Sequence, residues 1–498
     1  MNSDSENETI QHIPPQNELR NQSLTAFCIV SGLIASITSF QFGYKLSELN
    51  NPKDAIVGCI DSDFKKFLNL PVCLPMSDTY FGFVTSIFAI GGLFGAFLGG
   101  YCAERFGRKK YLIFNSIFFF VGSILELFSV NPGMLATGRF ISGIGSGAGV
   151  VTTPIYLTEI APLKSRGFLN TFNQMLIVTG IFIAQVMGYF FGTGSSWRYV
   201  ILLAVISSVV NMITMFLVVE SPKYLLTKGR YNEAKASLSK LRGTSDVEEE
   251  MESWDINKNI VENRYGSIEQ SLPDTTISQE GGYANEIKGI SLLKILTMKK
   301  YRQSLVLVFF LMTSQQLSGI NTVFFYSNSI FSKMFNQSTS AILTLVVGAL
   351  NVFFTIISVF IMDKIARKKF LFASMGSMSI SLGILTVSLI AKIDILSVIS
   401  IYLVTISFIT GLGALPYLIS TELFDQQGMS AGNTVSISAN WIWTFVIGVS
   451  FFSLQNALKN YVYILFIVFL ILFAIFFYFF LPETKDRTYK EVAKEFKF

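Results

Sequence analysis

Long apolar runs separated by short charged turns dominate the chain. A membrane-spanning helix needs about 20 mostly apolar residues. Twelve stretches meet that length: 24–46, 79–101, 111–130, 134–157, 170–192, 198–219, 303–331, 339–362, 370–391, 396–419, 431–452 and 460–481. The pattern predicts an all-α integral membrane protein with twelve transmembrane helices. Two longer hydrophilic segments interrupt it, 47–78 and 220–302. Within the second, 232–241 reads as a short amphipathic helix ended by Gly243. Residues 244–290 are rich in Glu, Ser and Asn and predict a poorly ordered insert.

Composition agrees, with 51% hydrophobic residues, 48 Phe and a mean hydropathy of +0.52. The net charge of +5 is modest and its basic residues sit at helix ends, which argues against a nucleic-acid partner. The single His, His12, is remote from the four Cys, so no metal site or cofactor is expected. No nucleophile–base pair suggests an enzyme. Residues 1–22 lack the apolar core of a removable signal peptide.

Charge also orients the chain. Arg105, Arg108, Lys109, Lys110, Lys164, Arg166, Lys364, Arg367, Lys368 and Lys369 lie in short loops on one side, against Lys333, Lys392 and Lys459 opposite. The positive-inside rule then puts both termini in the cytoplasm. On that topology Cys59 and Cys73 fall in an outer loop, where an oxidising compartment favours a disulfide over two free thiols.

The chain repeats itself at an offset near 260 residues. Glu104–Lys110 answers 363–369, Pro154–Glu159 answers Pro416–Glu422, and Glu220-Ser-Pro-Lys223 answers Glu483-Thr-Lys485. This predicts two six-helix halves in parallel repeat. The divisions are a tail (1–23), a first half (24–219), a linker (220–302), a second half (303–481) and a short tail (482–498). In such folds a substrate sits between the halves near the midplane.

The stretch Thr313–Tyr326 lies inside one apolar run yet holds Gln315, Gln316 and Asn321. Uncharged amides in hydrocarbon are costly unless they face partners or a wet cavity. Their donors and acceptors suit the hydroxyls of a neutral polyol, and equally suit gluing helices together. On an ideal helix Asn321 sits about 140° from Gln316, so the three share no face, and Ser318-Gly319 offers a place for a break. Gln174 and Gln185, eleven residues apart, do share a face.

These residues closely resemble the sugar porter family of the major facilitator superfamily, in particular its facilitative glucose (hexose) transporter branch. The similarity runs from about Ser39 to Val492. It rests on Phe42-Gly-Tyr44, Arg105/Gly107/Arg108, Glu159 with Arg166-Gly167, Glu220-Ser-Pro222, Gln315-Gln-Leu-Ser-Gly-Ile-Asn321 and Pro482-Glu-Thr-Lys485. The resemblance implies a substrate site of Gln174, Gln315, Gln316, Asn321, Asn351, Tyr417, Asn440 and Trp441. It implies an outer gate of Phe325 and Tyr326. It also implies an inner ion-pair network of Arg105, Arg108, Glu159, Arg166, Glu220, Asp363, Arg367, Glu422 and Glu483. The implied protein is a sugar carrier in the lipid bilayer, most simply a monomer in the plasma membrane.

Coupling to protons needs a titratable group in the pathway. Among the acids of the twelve stretches only Glu126 stands away from the inner ends, and its position predicts a buried pair with Arg139. Proton-coupled relatives carry Asp where this chain has Lys45, a residue expected to snorkel to the outer surface. A uniporter follows, with a proton-coupled symporter and a non-transporting sugar receptor as alternatives. The chain also departs from the glucose carriers. Ile409 replaces Glu, Tyr417 replaces Trp, Thr444 replaces Asn, Met429 replaces Arg and Ala366 replaces Gly. Leu412 and Ala414 replace prolines, which should stiffen the tenth helix.

Overall fold

The computed structural model describes residues 24–58, 68–252, 254, 292–362, 364–425, 427–485, 487 and 489–497. Six helices form the first half: α1 (Ala26–Ser47), α2 (Asp78–Phe106), α3 (Arg108–Leu127), α4 (Pro132–Ile160), α5 (Arg166–Phe191) and α6 (Trp197–Thr214). Local chemistry starts several of them. The side chains of Thr25, Ser77 and Asn131 each accept a backbone N–H of the first turn, and Pro132 opens α4.

The second half begins with a helix in two pieces, α7a (Arg302–Leu317) and α7b (Ile320–Phe331). Then come α8 (Gln337–Met362) and α9 (Arg367–Ala391). Another broken helix follows: α10a (Asp394–Ser407), a π-turn (Phe408–Leu412) and α10b (Leu415–Glu422). The last two are α11 (Met429–Leu458) and α12 (Val462–Phe480). Among the described residues, eleven continuous helical stretches are long and apolar enough to cross a membrane, and the last, Ala431–Phe480, has 50 residues. That is about 75 Å of helix against a hydrocarbon core of about 30 Å. The chain turns back at Lys459, whose φ of 51° ends α11, so this stretch holds two spans and the total is twelve. The fold is all-α, and the protein is a multi-pass membrane protein.

The internal repeat appears as matched bonds at the end where α1 begins and α12 ends, here termed the inner end. Glu220 accepts the N–H groups of Lys109 (2.9 Å) and Lys110 (3.4 Å) in the first turn of α3. Glu483 accepts those of Arg367 (2.8 Å) and Lys368 (3.1 Å) in the first turn of α9. Lys109 Nζ donates to the Phe216 carbonyl, and Lys368 Nζ to that of Tyr478. Arg108 pairs with Glu159 at 2.9 Å, and Arg367 with Glu422 at 3.5 Å. In both halves a carboxylate satisfies helix N-terminal donors that would otherwise be orphaned.

The linker holds the expected amphipathic helix, at Tyr231–Arg242, closed by Gly243 in the left-handed region. The expectation of a poorly ordered insert fails for its first residues. Val247 and Met251 are buried, and Arg242 makes a bidentate bond to Glu250 at 2.8 and 2.9 Å. The apolar side chains at 247 and 251, one helical turn apart, were hidden by the surrounding Glu-rich composition. Most of the remainder, 255–290, lies outside the described residues, as does the tail before 24.

Candidate functional site in the cleft between the halves

The break in α7 decides the site. Gly319 has φ +85°, a conformation most side chains resist, and Ser318 Oγ donates to the Gln315 carbonyl freed there. The expected break is therefore present. It also changes the neighbours. Asn321 Nδ2 donates to Gln316 Oε1 at 2.5 Å, although an ideal helix separates the two. Gln316 Nε2 reaches Gln315 Oε1 at 3.4 Å, and Asn440 Nδ2 of α11 donates to that same oxygen at 2.5 Å. Gln315, Gln316, Asn321 and Asn440 thus form one bonded chain of neutral amides, all buried. Replacing Gly319 by Ala forces a strained φ and drives a Cβ to 2.6 Å from the Phe466 ring. We expect a loss of about 1–3 kcal/mol, read as a lowered melting temperature of the purified protein.

The other expected site residues are placed differently. Asn351 of α8 is buried and its Nδ2 has no partner. Gln185 of α5 is also buried, lies against Gly348 of α8, and has neither amide atom bonded. Buried polar atoms of this kind call for a partner such as water or a ligand. Gln174 is partly buried and Tyr417 is 38% exposed; among the described residues neither is hydrogen-bonded into the amide chain. Trp441 is buried against Phe42 and Phe88 of the first half, ring centroids 5.7 and 6.0 Å away. Thr444 turns inward on its own helix, donating to the Asn440 carbonyl.

Phe325 and Tyr326 lie buried towards the outer end of α7b. Tyr326 donates to the Gly448 carbonyl at 2.9 Å and stacks on Phe451. Beside them is a contact between halves that sequence reasoning missed. Asn50, just past α1, donates to the Phe324 carbonyl (3.0 Å) and Ser327 Oγ (2.8 Å), and accepts the Asn328 N–H (3.1 Å). Asn328 Nδ2 donates to the Asn51 carbonyl, and Asn51 Nδ2 to the Gln185 carbonyl. The signal available was two adjacent Asn in a segment otherwise read as loop.

The charged residues near this clasp require two corrections. Lys45 does not snorkel outward: it is 1% exposed and bonds Glu48 at 3.0 Å and Glu126 at 2.9 Å. The expected direct Glu126–Arg139 pair is replaced by a quartet. Arg139 bonds Glu48 at 2.9 Å and the Lys45 carbonyl at 2.7 Å, while Ser142 donates to Glu126 at 2.8 Å. Two cations and two anions balance inside the first half. Glu48 escaped notice because the first apolar stretch ends at 46, two residues too soon.

At the inner end, Glu159, Glu220, Glu422 and Glu483 hold Arg108, Arg367 and the helix starts as described above. Each of those bonds joins residues of one half. Thr484 adds a bond to Glu422 at 2.5 Å. Arg105 bonds Tyr101 of its own helix, and its carbonyl accepts from Tyr224. The side chain of Arg166 has a buried Nε without a partner. Asp363 lies outside the described residues. So does Cys59; Cys73 is in a disulfide, whereas Cys28 and Cys102 are free thiols.

Twelve spans in two repeated halves, with a buried chain of uncharged amides joining α7 to α11, define a membrane carrier for a small neutral polar solute. The family described as "Sugar (and other) transporter" matches residues 30–496, and the chain belongs to that family. It is 31% identical over 474 residues to the chicken solute carrier family 2, facilitated glucose transporter member 1, covering 93% of this chain and 92% of the relative. It is 31% identical to member 3 of the rabbit, covering 95% and 93%. The fold is similar to that of the E. coli xylose transporter XylE in a partially occluded inward open conformation. The TM-score is 0.73 at 21% identity, covering 93% of this chain and all of the other.

Proposed function

We propose that the protein is a facilitative hexose uniporter, moving glucose or a related hexose down its gradient by alternating access. The observation that carries this reading is the amide chain at the break in α7, joined to α11. It is uncharged and rich in donors and acceptors, and Trp441, next to its Asn440, packs on Phe42 and Phe88 of the first half. The similarity to facilitated glucose transporters supports the same reading. The substrate set is Gln174, Gln315, Gln316, Asn321, Asn351, Tyr417, Asn440 and Trp441, to which the unpartnered Gln185 is added. Each sugar–amide bond replaces one to water, so its net worth is about 1 kcal/mol and affinity should be millimolar. Weak binding suits a carrier that must also release its cargo.

In this reading the protein works as a monomer in the plasma membrane, with both termini cytoplasmic, and is a carrier, not an enzyme. Phe325 and Tyr326 gate the outer side, and Cys59 bridges to Cys73 in the outer loop. The inner charges, Asp363 included, close the opposite side when the carrier faces outward.

Uptake of labelled glucose and fructose into liposomes, with and without an imposed proton gradient, tests the proposal. Saturable uptake that stops at equal concentrations on both sides, indifferent to the gradient, is the expected result. A proton-coupled symporter is the second reading, and one observation favours it: Glu48, just past the end of α1, is a fully buried acid with Oε2 unpartnered. Against it, the quartet is charge-balanced and both carboxylates face cations. Accumulation that follows the proton gradient would make the symporter the better description. Sugar binding without uptake would point to a receptor.

A further inference from the structure

With Leu412 and Ala414 in place of the prolines of the glucose carriers, the tenth helix is still not a regular α-helix. Phe408–Leu412 is a π-turn, with the Gly413 N–H bonded to the Phe408 carbonyl five residues back at 2.8 Å. A π-turn inserts an extra residue and needs something to hold it open. Here a single hydroxyl from α9 does so. Ser374 Oγ donates to the Ser407 carbonyl at 2.6 Å and accepts the Leu412 N–H at 3.0 Å, so both flanks of the turn rest on one buried side chain. Gly411 makes room, since a Cβ there would overlap Ser374.

The C-terminal end of the turn meets Gln315 of the amide chain. Leu412 lies four residues before Pro416, which has no N–H to offer its carbonyl. Gln315 supplies the missing donor. Its Nε2 bonds the Leu412 carbonyl at 2.8 Å and the Gly413 carbonyl at 2.9 Å. A side-chain amide has two N–H donors, and both are committed here. Its oxygen is left to face Asn440 and Gln316. Gln315 therefore has no N–H left for a ligand, and its oxygen accepts a sugar hydroxyl only in place of the long bond from Gln316 at 3.4 Å or the one from Asn440. Donors for the sugar's oxygens must come from elsewhere, such as the unpartnered Nδ2 of Asn351.

We propose that Ser374 is a positioning residue: by holding the π-turn it fixes the orientation of the Gln315 amide, and so helps decide which hexose hydroxyls the cleft reads. The inference rests on the hexose-carrier reading above. Without the hydroxyl the extra residue loses its support. The carbonyls of Leu412 and Gly413 then rotate away, and the Gln315 amide becomes free to turn its donors to the ligand.

The test compares wild type with Ser374→Ala in liposomes, using equilibrium-exchange KM for the transported hexose and its monodeoxy analogues. We expect a KM about fivefold higher for the parent sugar, the worth of about one hydrogen bond. Discrimination against one deoxy analogue should fall about threefold or more, and neither change should appear in a Gln315→Ala background. An unchanged analogue profile, or the same effect with Gln315 absent, would overturn the proposal. If Ser374→Ala does not fold, Gly411→Ala displaces the same hydroxyl and should give the same profile. Hydrogen exchange over 407–413 needs no substrate and should be faster in Ser374→Ala. Should wild type move no hexose, the carrier reading fails, while unchanged exchange would refute the role of Ser374 independently.

Discussion

Glu48→Ala should be among the most damaging single substitutions in the first half. Removing this carboxylate leaves Lys45 and Arg139 buried with only Glu126 to balance them. Pairing two buried cations with one anion costs about 3–5 kcal/mol, because the desolvation already suffered by the charges is no longer offset. The measurement is thermal unfolding in detergent, alongside the yield of monodisperse protein. A double variant, Lys45→Met with Glu126→Gln, removes a whole pair and leaves the Arg139–Glu48 bond. It should be better tolerated than either change alone. If Glu48→Ala melted like wild type, the quartet would be incidental to stability.

Asn50→Ala should shift the carrier towards its outward-facing form. Asn50 makes three of the hydrogen bonds that join the halves at the outer end, to Phe324, Ser327 and Asn328. Outward opening must break them. At about 1 kcal/mol each, less what water restores, their loss should change the ratio of the two forms by about thirtyfold. Asn50 bonds no side chain of the amide chain, so intrinsic sugar contacts should survive. A cysteine at 329 reports the change, since Ser329 is buried beside the clasp. In a background with the free thiols Cys28 and Cys102 replaced, a hydrophilic maleimide added from outside should label Ser329→Cys faster when Asn50 is Ala. Equal labelling rates would show that the clasp does not hold the outer side.

The two predictions concern one short segment. Lys45 and Glu48 tie the end of α1 into the first half through Glu126 and Arg139. Asn50 and Asn51, two and three residues beyond Glu48, reach α7b in the second half. A rigid anchor followed at once by a neutral clasp suits a rocking carrier: the charges need not move, and only amide bonds are exchanged with water. At the inner end, the bonded Glu residues cap helix starts within their own halves, which leaves each half a rigid unit.

The spans were legible because hydrocarbon permits few alternatives. A run of about 20 apolar residues must be helical to satisfy its backbone, so twelve runs meant twelve spans. The repeat was legible because the same carboxylate must cap the same helix start in each half. The break at Gly319 was legible because only a glycine readily takes φ +85°. Through these features the sequence by itself determined the fold class, the two-half repeat and the amides that belong together. Tertiary structure alone decided who pairs with whom. Lys45 and Glu126 are 81 positions apart and Gln315 and Leu412 are 97 apart, and no periodicity along one helix records such a meeting. The π-turn in α10 came from a hydroxyl on another helix, Ser374. Buried charges and amides answer to whatever partner lies within about 3 Å, and that neighbour is set by how the helices pack.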